Sequence, residues 1–423
     1  MQLKPLSKSW LIFQSLLTLL CLLVPLPITA APFQLTLSRS IQLALTNSPD
    51  VNIVELQSQK AALELQKAKS SYLPTIAMTH TQTQWAEKPK VDYGNYITMT
   101  LPLFNSGRTK YSVLQSQADA YSITAYLDYT KQQIAAAVIF DYYAALAVKE
   151  RSTLVSQNIL QLTDHLTQIA IHSPSHDLQQ TEAQISRLML DYRLIQQEER
   201  QAYTKLRRLL HLPPAQELLL EEPPEQPPLP PTTENAISVA LARRQDLAQL
   251  SQDQQAAQLR VKITAKETVP HVYLYSVIND LGLPEQEWYS TLYITGNLFD
   301  GGQAKLKTKQ SELDAAIAEK RLQHKVETIT QETTEAFELW QQAGETEIIA
   351  RQAVSRAETD YFAAREAYQN GSSGNESFLK ANMTLLTARL EHLKVRYYYN
   401  KCRIQLHQAT GTLFLLHSTK QLH

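Results

Sequence analysis

The chain has 423 residues and a formal net charge of −1, which gives no electrostatic reason to expect nucleic acid as a partner. It contains only 10 glycines, few for an α/β enzyme with many tight loops. The abundance of Gln, Ala, Leu, Thr and Glu favours long helices instead.

The N-terminal segment is typical of an export signal. Lys4 and Lys8 precede an apolar run at 10–24, and the small residues Ala30 and Ala31 follow it. A membrane anchor is the alternative, but the apolar run is shorter than the roughly 20 residues that a spanning helix needs. We therefore expect a signal peptide at residues 1 to 30, cleaved at Ala30 or Ala31.

Beyond this segment the sequence predicts neither a membrane helix nor a disulfide. The most apolar later stretch, 134–148, is too short to span and carries Asp141 in its middle. Once the signal is removed, Cys402 is the only cysteine, so no intrachain disulfide can form.

The elements of the first half follow in a clear order. A helical pattern begins at a capping residue, Thr36 or Ser38, and is predicted to continue as one helix of about 34 residues until Pro74. Two alternating strands are predicted at 75–104, then a long helix at 106–171 and a return helix at 177–211.

A proline-rich connector follows at 213–231 and holds 8 of the 19 prolines. Such a run can serve as a ligand for peptide-binding modules, but an exported chain would not meet their cytoplasmic hosts. A semi-rigid connector between two halves is the better interpretation.

The second half repeats the order of the first. The sequence predicts a helix from Thr232 to Pro270, strands at 271–299, a long helix at 302–370 and a return helix at 376–411, within a unit at 232–416 before a short tail at 417–423.

Identical residues recur in the two halves at one constant spacing, which predicts two diverged copies, 31–212 and 232–416. The matched pairs are Ile41 and Ile237, Ala44 and Ala240, Leu45 and Leu241, Asp50 and Asp246, Gln59 and Gln255, Ala61 and Ala257, Leu63 and Leu259, and Pro74 and Pro270.

A second match lies where each predicted strand pair enters its long helix. "LPLFNSGRTK" begins at Leu101 and "GNLFDGGQAK" begins at Gly296. The strand–helix junction residues that these stretches single out are Phe104, Asn105 and Gly107 in the first and Phe299, Asp300, Gly301 and Gly302 in the second. Asn, Asp and Gly are typical of turns, so the match gains weight only from the repeat around it.

The predicted lengths exclude an ordinary compact domain. A long helix spans about 100 Å and each shorter helix about 50 Å, while the strands have the length of membrane-spanning strands. An antiparallel coiled coil explains the helices but not the strands. Four strands cannot close a barrel, and open edges are not tolerated in lipid. Either several chains share one barrel, or two soluble hairpins cap a helical bundle.

With this plan, the chain resembles the TolC family of outer-membrane efflux and secretion ducts. The resemblance rests on the duplicated plan, the proline that ends each first helix, and the "PLFNSG" and "NLFDGG" junctions. It also rests on the stretch "YQNGSSGNESFLKANMTLLTARL", in which Tyr368, Gly371, Leu379 and Ala381 fit the family pattern.

The resemblance implies a mainly α fold with a β-barrel contribution. Long antiparallel α-helical hairpins would form a periplasmic helical barrel, and four transmembrane β-strands per chain would complete a barrel of twelve strands in a homotrimer. Each copy would then pass once from the membrane barrel into the helical tunnel at its junction.

The resemblance also implies a function. The chain would be the outer-membrane exit duct of a tripartite efflux or type I secretion system, without a catalytic centre, cofactor or metal. Its partners would be a periplasmic adaptor, an inner-membrane pump and outer-membrane lipid. The alternative is a periplasmic coiled-coil structural or adhesion protein without a pore. An outer-membrane hydrolase lacks a defensible Ser/His/acid arrangement.

The periplasmic tip is where the helices of such a duct must part. In the family an Asp of the first copy bonds a Tyr of the second, and Asp177 and Tyr368 match these positions. Asp177 can also be read simply as a helix-start residue. Ser373 stands where the family has an Arg, so the resemblance leaves that contact in doubt.

The entrance also departs from the family. Some members carry acidic rings at positions that hold Ser377 and Lys380 here, with Glu376 adjacent. An acidic, cation-selective ring is therefore not expected in this chain.

Overall fold

The structure is a computed structural model that describes residues 33–86, 91–170, 175–214, 216–223, 228–279, 287–297 and 299–413. The predicted signal peptide with Ala30 and Ala31, and the predicted tail at 417–423, lie outside the described residues. The elements in chain order are β1 (Phe33–Leu35), α1 (Leu37–Asn47), α2 (Pro49–Ser70), β2 (Thr75–Gln84), β3 (Val91–Phe104), α3 (Arg108–Ile169), α4 (Ser175–Leu209), β4 (Leu218–Leu220), α5 (Thr233–Arg243), α6 (Gln245–Thr264), β5 (His271–Asn279), β6 (Glu287–Thr295), α7 (Gln303–Gln369) and α8 (Asn375–Ala409).

The first helix of each half is broken, where the sequence analysis expected one continuous helix. In the first half the break falls at Ser48, which is extended (φ −68°, ψ 121°). The residue before a proline is forced out of the helical region, and Pro49 follows. The Ser48 side chain then caps α2 by accepting a hydrogen bond from the Val51 N–H. The four residues "NSPD" at 47–50 therefore already indicate this break in the sequence.

The break in the second half falls at Arg244 without a proline. Arg244 has nearly the same backbone angles (φ −70°, ψ 121°). Its guanidinium holds the carboxylate of Asp246, with Nε–Oδ1 at 3.0 Å and Nη2–Oδ2 at 2.7 Å. The contact joins the residue at the break to the first turn of α6.

The two long helices each pair with a return helix. Helix α3 packs against α4, and α7 packs against α8, so the chain contains two antiparallel helical hairpins. Helix α3 also contacts α1, α2, α6 and α8. The main apolar cluster lies at the middle of α3 and the C-terminal ends of α4 and α8, where Ile139, Leu206 and Ile404 are fully buried.

The strands form one sheet in the order β2-β3-β5-β6. Every pairing is antiparallel, and the contact between β3 and β5 joins the two predicted copies. A register shift between Pro102 and Phe104 interrupts this contact, which continues with Phe104 opposite Val272; Pro102 lacks an N–H donor, and such irregularities are common at proline. Strands β2 and β6 are the two edges of the sheet.

The register gives the sheet two different faces, since side chains alternate along a strand. One row across the four strands is Met78, Ile97, Ile278 and Trp288. The row on the opposite side is Thr75, Thr100, Tyr275 and Thr291. We call these the apolar face and the hydroxyl face.

A two-stranded parallel sheet was missed by the sequence analysis. Strand β1 pairs with β4, which lies inside the proline-rich connector. The buried Tyr142 hydroxyl lies 2.7 Å from the carbonyl oxygen of Leu35 and 2.6 Å from that of Glu221. The connector is therefore fixed to the start of the described chain. No sequence period reveals a pairing of three-residue strands.

Among the described residues, no helix is both long and apolar enough to cross a membrane.

Candidate gate at the hairpin tips

The turn of the second hairpin is set by a glycine. Gly371 has φ +71°, the left-handed conformation that ends many helices. The Ser372 N–H donates to the carbonyl of Ala367 at 2.9 Å, which satisfies one of the last carbonyls of α7. The chain then enters α8 at Asn375. In the first hairpin, residues 171–174 lie outside the described residues.

Asn375 connects three helices at this tip. Its Oδ1 lies 2.8 Å from Nε2 of His165 on α3. Its Nδ2 donates to the carbonyl of Asp177 and to Oγ1 of Thr181, both on α4 and both at 3.2 Å. Asn375 is 2% exposed and Thr181 is fully buried. Because Asn375 Oδ1 can only accept, His165 carries its proton on Nε2 in this contact.

The ring of His165 packs against two aromatic side chains of the second hairpin, which also stack on each other with their centroids 5.7 Å apart. Its centroid lies 4.5 Å from that of Phe378 and 5.2 Å from that of Tyr368. The structure thus brings Tyr368 and Asp177 to the same cluster. No hydrogen bond joins their side chains within the described chain: Asp177 contributes its backbone carbonyl and Tyr368 its ring.

The other residues predicted at the entrance lie around this cluster without joining it. Ser373 is half-buried in the turn, and Glu376, Ser377 and Lys380 are exposed on α8. The Ser377 N–H donates to the carbonyl of Gly374 in the first turn of the helix. Their exposure leaves them free to face an entrance.

A second polar pair lies between α3 and α8, farther from the tip than Asn375. Nδ2 of Asn158 on α3 donates to Oδ1 of Asn382 on α8 at 3.1 Å, and both residues are buried. Around it, Val155, Leu162, Leu379 and other apolar residues form a cluster that joins both hairpins.

The sequence analysis missed this pair and Asn375, although a signal was present. Polar residues recur on α8 every seven positions: Asn375, Asn382, Arg389, Arg396 and Arg403. A heptad of polar residues within an apolar pattern predicts a polar seam that sets the register of packed helices.

The strand–helix junctions have the backbone that their residues predict. Gly107 and Gly302 precede α3 and α7 with φ +82° and +84°. Asp300 accepts hydrogen bonds from the N–H groups of Gly302 and Ala304 at 2.9 Å each. These donors, that of Ala304 foremost, hold the pKa of Asp300 below its usual value.

The remaining junction residues differ in exposure. Phe104 and Phe299 are 57% and 89% exposed, and Pro74 is exposed as well. Pro270 lies against Gly296, where a β-carbon would come within 3.1 Å of the Pro270 ring. A side chain at this position would therefore require Pro270 to shift by a few tenths of an ångström.

No group of three or more His, Cys, Asp or Glu side chains within the described ranges is arranged to hold a metal ion. The contacts observed at the tip are hydrogen bonds and ring packing between helices.

A family model described as "Outer membrane efflux protein" matches residues 236–412. No curated protein sequence matches the chain. The matched family is one of efflux channels rather than enzymes.

Solved structures of outer-membrane channels have the same fold. VceC from Vibrio cholerae matches with a TM-score of 0.73 and 16% identity, over 89% of this chain and 96% of that one. The open state of MtrE from Neisseria gonorrhoeae matches with a TM-score of 0.73 and 16% identity, over 89% of each chain.

CusC, whose structures describe transmembrane channel formation, matches with a TM-score of 0.74 and 16% identity, over 89% of this chain and 92% of that one. These matches confirm the resemblance predicted from the sequence and agree with the predicted location in the outer membrane. The second half of the chain thus matches the model of the outer membrane efflux protein family, and nearly the whole chain has the fold of the solved outer-membrane channels.

Proposed function

We propose that the chain is the outer-membrane exit duct of a tripartite efflux or type I secretion system and acts as a homotrimer. Cargo passes through it passively, from a periplasmic adaptor and an inner-membrane pump to the exterior. The two predicted copies each supply two strands and one helical hairpin.

The sheet is the observation that carries this proposal. Ile76 and Met78 on the apolar face are 70% and 69% exposed, and Ile294 on the same face is 69% exposed. A contiguous apolar face that the rest of the chain leaves uncovered marks a protein or membrane interaction site. Lipid covers such a face, and the hydroxyl face is then left to line a wet interior.

The open edges support a shared barrel. Strand β2 pairs only with β3, and β6 pairs only with β5, within the described chain. Unpaired backbone groups are not tolerated in lipid, so the two edges need partners. Pairing of β6 with β2 of a second copy, repeated three times, closes a barrel of twelve strands.

The two outer helices next to the sheet, α7 and α2, each expose a row of leucine side chains. Leu306 and Leu313 on α7 are 66% and 56% exposed. Leu56 and Leu63 on α2, at the other flank, are 65% and 63% exposed. Contact between α7 of one copy and α2 of the next buries both sets and extends the barrel into a helical tunnel.

The gate is proposed at the hairpin tips. Asp177 and Tyr368 both contact the Asn375–His165 pair, one through its carbonyl and one through its ring. Tyr368→Ala removes that ring, and we expect it to raise single-channel conductance. Asp177→Ala keeps the backbone carbonyl that Asn375 contacts, so we expect it to change conductance little. Unchanged conductance in Tyr368→Ala removes that side chain from the gate.

The entrance is proposed to lack cation selectivity. Ser377 and Lys380 stand at the positions of the family's acidic rings and are exposed. A reversal potential measured across a salt gradient tests this, because a cation-selective pore shifts it strongly towards the cation equilibrium potential.

The first test is the native mass of the chain extracted from outer membranes in mild detergent. A trimer supplies the missing strand partners and supports the duct. A monomer leaves β2 and β6 with open edges in lipid, and the coiled-coil scaffold without a pore then becomes the better function.

A further inference from the structure

Positive charge is concentrated where the helices meet the four-stranded sheet. The whole chain holds 40 Lys and Arg residues against 41 Asp and Glu residues. The four segments next to the sheet, 64–71, 105–112, 260–268 and 300–312, together hold ten Lys and Arg residues against four Asp and Glu residues. We call the Lys and Arg residues of these segments the basic belt. A chain without an overall excess of positive charge therefore has a local one at this level.

Part of the basic belt works against helix stability. The start of a helix favours negative charge, but α3 and α7, which both begin next to the sheet, have no acidic residue in the first turn. Arg108 and Lys110 lie in the first turn of α3, and Lys305 lies in the first turn of α7. The stability of these helices therefore does not account for the cations at their starts.

A groove of about 730 Å³ lies within the basic belt, between the end of α6 and the start of α7. Ala265 and Thr268 line it where the chain leaves α6, and Lys305, Leu306 and Lys309 line it on α7. The groove thus combines apolar surface with two ammonium groups. An amphipathic ligand with a negative charge at its polar end matches both.

The two lysines of the groove are available to such a ligand. Both side chains are exposed. Within the described chain Lys305 forms no ion pair, and Lys309 pairs with Glu312, which is also exposed, at 3.0 Å. An exposed pair of this kind contributes little in water and exchanges readily. Lys307, which lies between the two in sequence, pairs instead with Glu267.

An exposed apolar surface leads towards the groove. Strand β6 precedes α7 in the chain, and Leu292 and Ile294 on its apolar face are 56% and 69% exposed. Ile294 is the next-to-last residue of the strand, at the end from which the chain continues to α7. Apolar strand surface is therefore followed by cationic helix surface, which is the order of acyl chains and headgroup in a lipid leaflet.

We propose that this groove binds the headgroup of an anionic phospholipid from the inner leaflet of the outer membrane. Lys305 and Lys309 hold the phosphate, and the acyl chains lie along the apolar face of β6. Lysine binds phosphate as a point charge and so accepts several headgroup orientations. This site rests on the proposed function, because a duct in the outer membrane places the groove at the inner leaflet.

Replacement of both lysines tests the site. Each lysine near an anionic lipid surface strengthens binding roughly 5-fold, so we expect Lys305→Gln with Lys309→Gln to weaken the binding of phosphatidylglycerol roughly 20-fold. Lys320→Gln with Arg321→Gln is the matched control. It removes the same charge from two exposed positions of α7 that lie about 20 Å farther along the helix.

The measurement is native mass spectrometry of the full chain, purified from outer membranes and delipidated in detergent. Phosphatidylglycerol or the zwitterionic phosphatidylethanolamine is added at matched concentrations. We expect the wild-type chain and the control to retain phosphatidylglycerol in preference, and the Lys305/Lys309 variant to lose this preference. The same preference in all three proteins overturns the proposal.

The same measurement distinguishes two other occupants of the groove. Inorganic phosphate at the concentration of the lipid should leave the lipid bound. Displacement by it would assign the groove to a free anion and overturn the lipid site. A trimer that binds no phosphatidylglycerol, beside a monomer that does, would assign the groove to α2 of the next copy and would also overturn it.

Lipid preference and conduction keep this inference apart from the proposed duct. A chain that is monomeric and never conducts, yet prefers phosphatidylglycerol through the two lysines, loses the duct and keeps the lipid site. A conducting trimer with the same lipid preference in every variant keeps the duct and loses the site.

Discussion

The hydroxyl of Tyr142 lies 2.7 Å from the carbonyl oxygen of Leu35, a residue 107 positions earlier in the chain. The N–H of Glu221 lies 3.1 Å from the same hydroxyl oxygen. One phenol thus holds β1 and β4 against the middle of α3. The start of the described chain and the connector between the two halves depend on this contact.

Tyr142→Phe is expected to loosen that contact. The substitution removes the hydrogen bonds of the phenol to the carbonyls of Leu35 and Glu221, while the Glu221 N–H keeps its bond to the Leu35 carbonyl at 3.2 Å. We expect a loss of about 0.5–1.5 kcal/mol in the local opening free energy. Hydrogen exchange at 33–35 and 218–220 measures it. Tyr121→Phe, at an exposed tyrosine of α3, is the control. Unchanged exchange in Tyr142→Phe would show that the β1–β4 pairing holds without the phenol.

Asp246→Asn is expected to destabilise the second half. Burial opposes ionisation of Asp246, but hydrogen bonds from Arg244 and Lys325 outweigh it and hold the pKa of Asp246 below its usual value. This stabilisation is present above pH 3.8, the ordinary Asp pKa, and is lost as the pH falls through the lower pKa of the folded chain. We expect a cost of about 3 kcal/mol at neutral pH.

The predicted repeat supplies the control for this substitution. Asp50 occupies the matching position of the first half and is exposed. We expect Asp50→Asn to change the unfolding free energy by less than about 0.5 kcal/mol. Chemical unfolding of both variants at pH 7 makes the comparison. Equal effects at the two positions would contradict the assignment of the stabilising ion pairs to Asp246.

His407 is expected to make the chain sensitive to acid. Burial, with a smaller contribution from the charge of Arg403, lowers the pKa of His407 to about 4. The unfolded chain therefore binds a proton between pH 6.5 and about 4 that the folded chain does not. Stability falls as the pH is lowered through this range, by up to about 3 kcal/mol.

His407→Gln removes the titrating group and should flatten this part of the stability curve. Thermal unfolding between about pH 7 and pH 4 is the measurement. His324→Gln, at an exposed histidine of α7, should keep the wild-type slope. A wild-type curve with no slope in this range would show that His407 does not control it.

Two glycines of the second half should respond to alanine in opposite ways. Gly302 has φ +84° and open space around the position of a β-carbon. The cost of Gly302→Ala is therefore conformational, about 1–2 kcal/mol. Gly344 lies inside α7, where a β-carbon meets Tyr399 at an ordinary 3.4 Å, so Gly344→Ala should stabilise the helix by up to about 1 kcal/mol. Chemical unfolding measures both variants, and a change of the unfolding free energy with the same sign in both would contradict this prediction.

The sequence predicted most elements because each carries a local signal. The capping residues Thr36 and Thr232 accept hydrogen bonds from the N–H groups three residues later, as their positions predict. Alternation indicated the strands, and glycines marked the junctions. The prediction of a continuous first helix was wrong in both halves. At Ser48 the following proline already indicated the break in the sequence. At Arg244 no proline is present, and the break is accompanied by the side-chain contact with Asp246.

The candidate gate was only partly predictable. The resemblance pointed to Asp177 and Tyr368, and the structure places both at the tip. The resemblance could not identify Asn375 or His165, because their contact joins residues that are 210 positions apart in the sequence. A heptad of polar residues shows that a helix has a polar stripe, but not which helix that stripe faces.

The sequence by itself determined the helices, the strands and their order along the chain, since these depend on neighbouring residues and on periodicity. The tertiary structure decided which face of the sheet is apolar across all four strands, where the helices break, and which polar groups meet between the hairpins. Those features depend on register and on contacts between distant residues, and a one-residue slip in register would exchange the two faces of a strand.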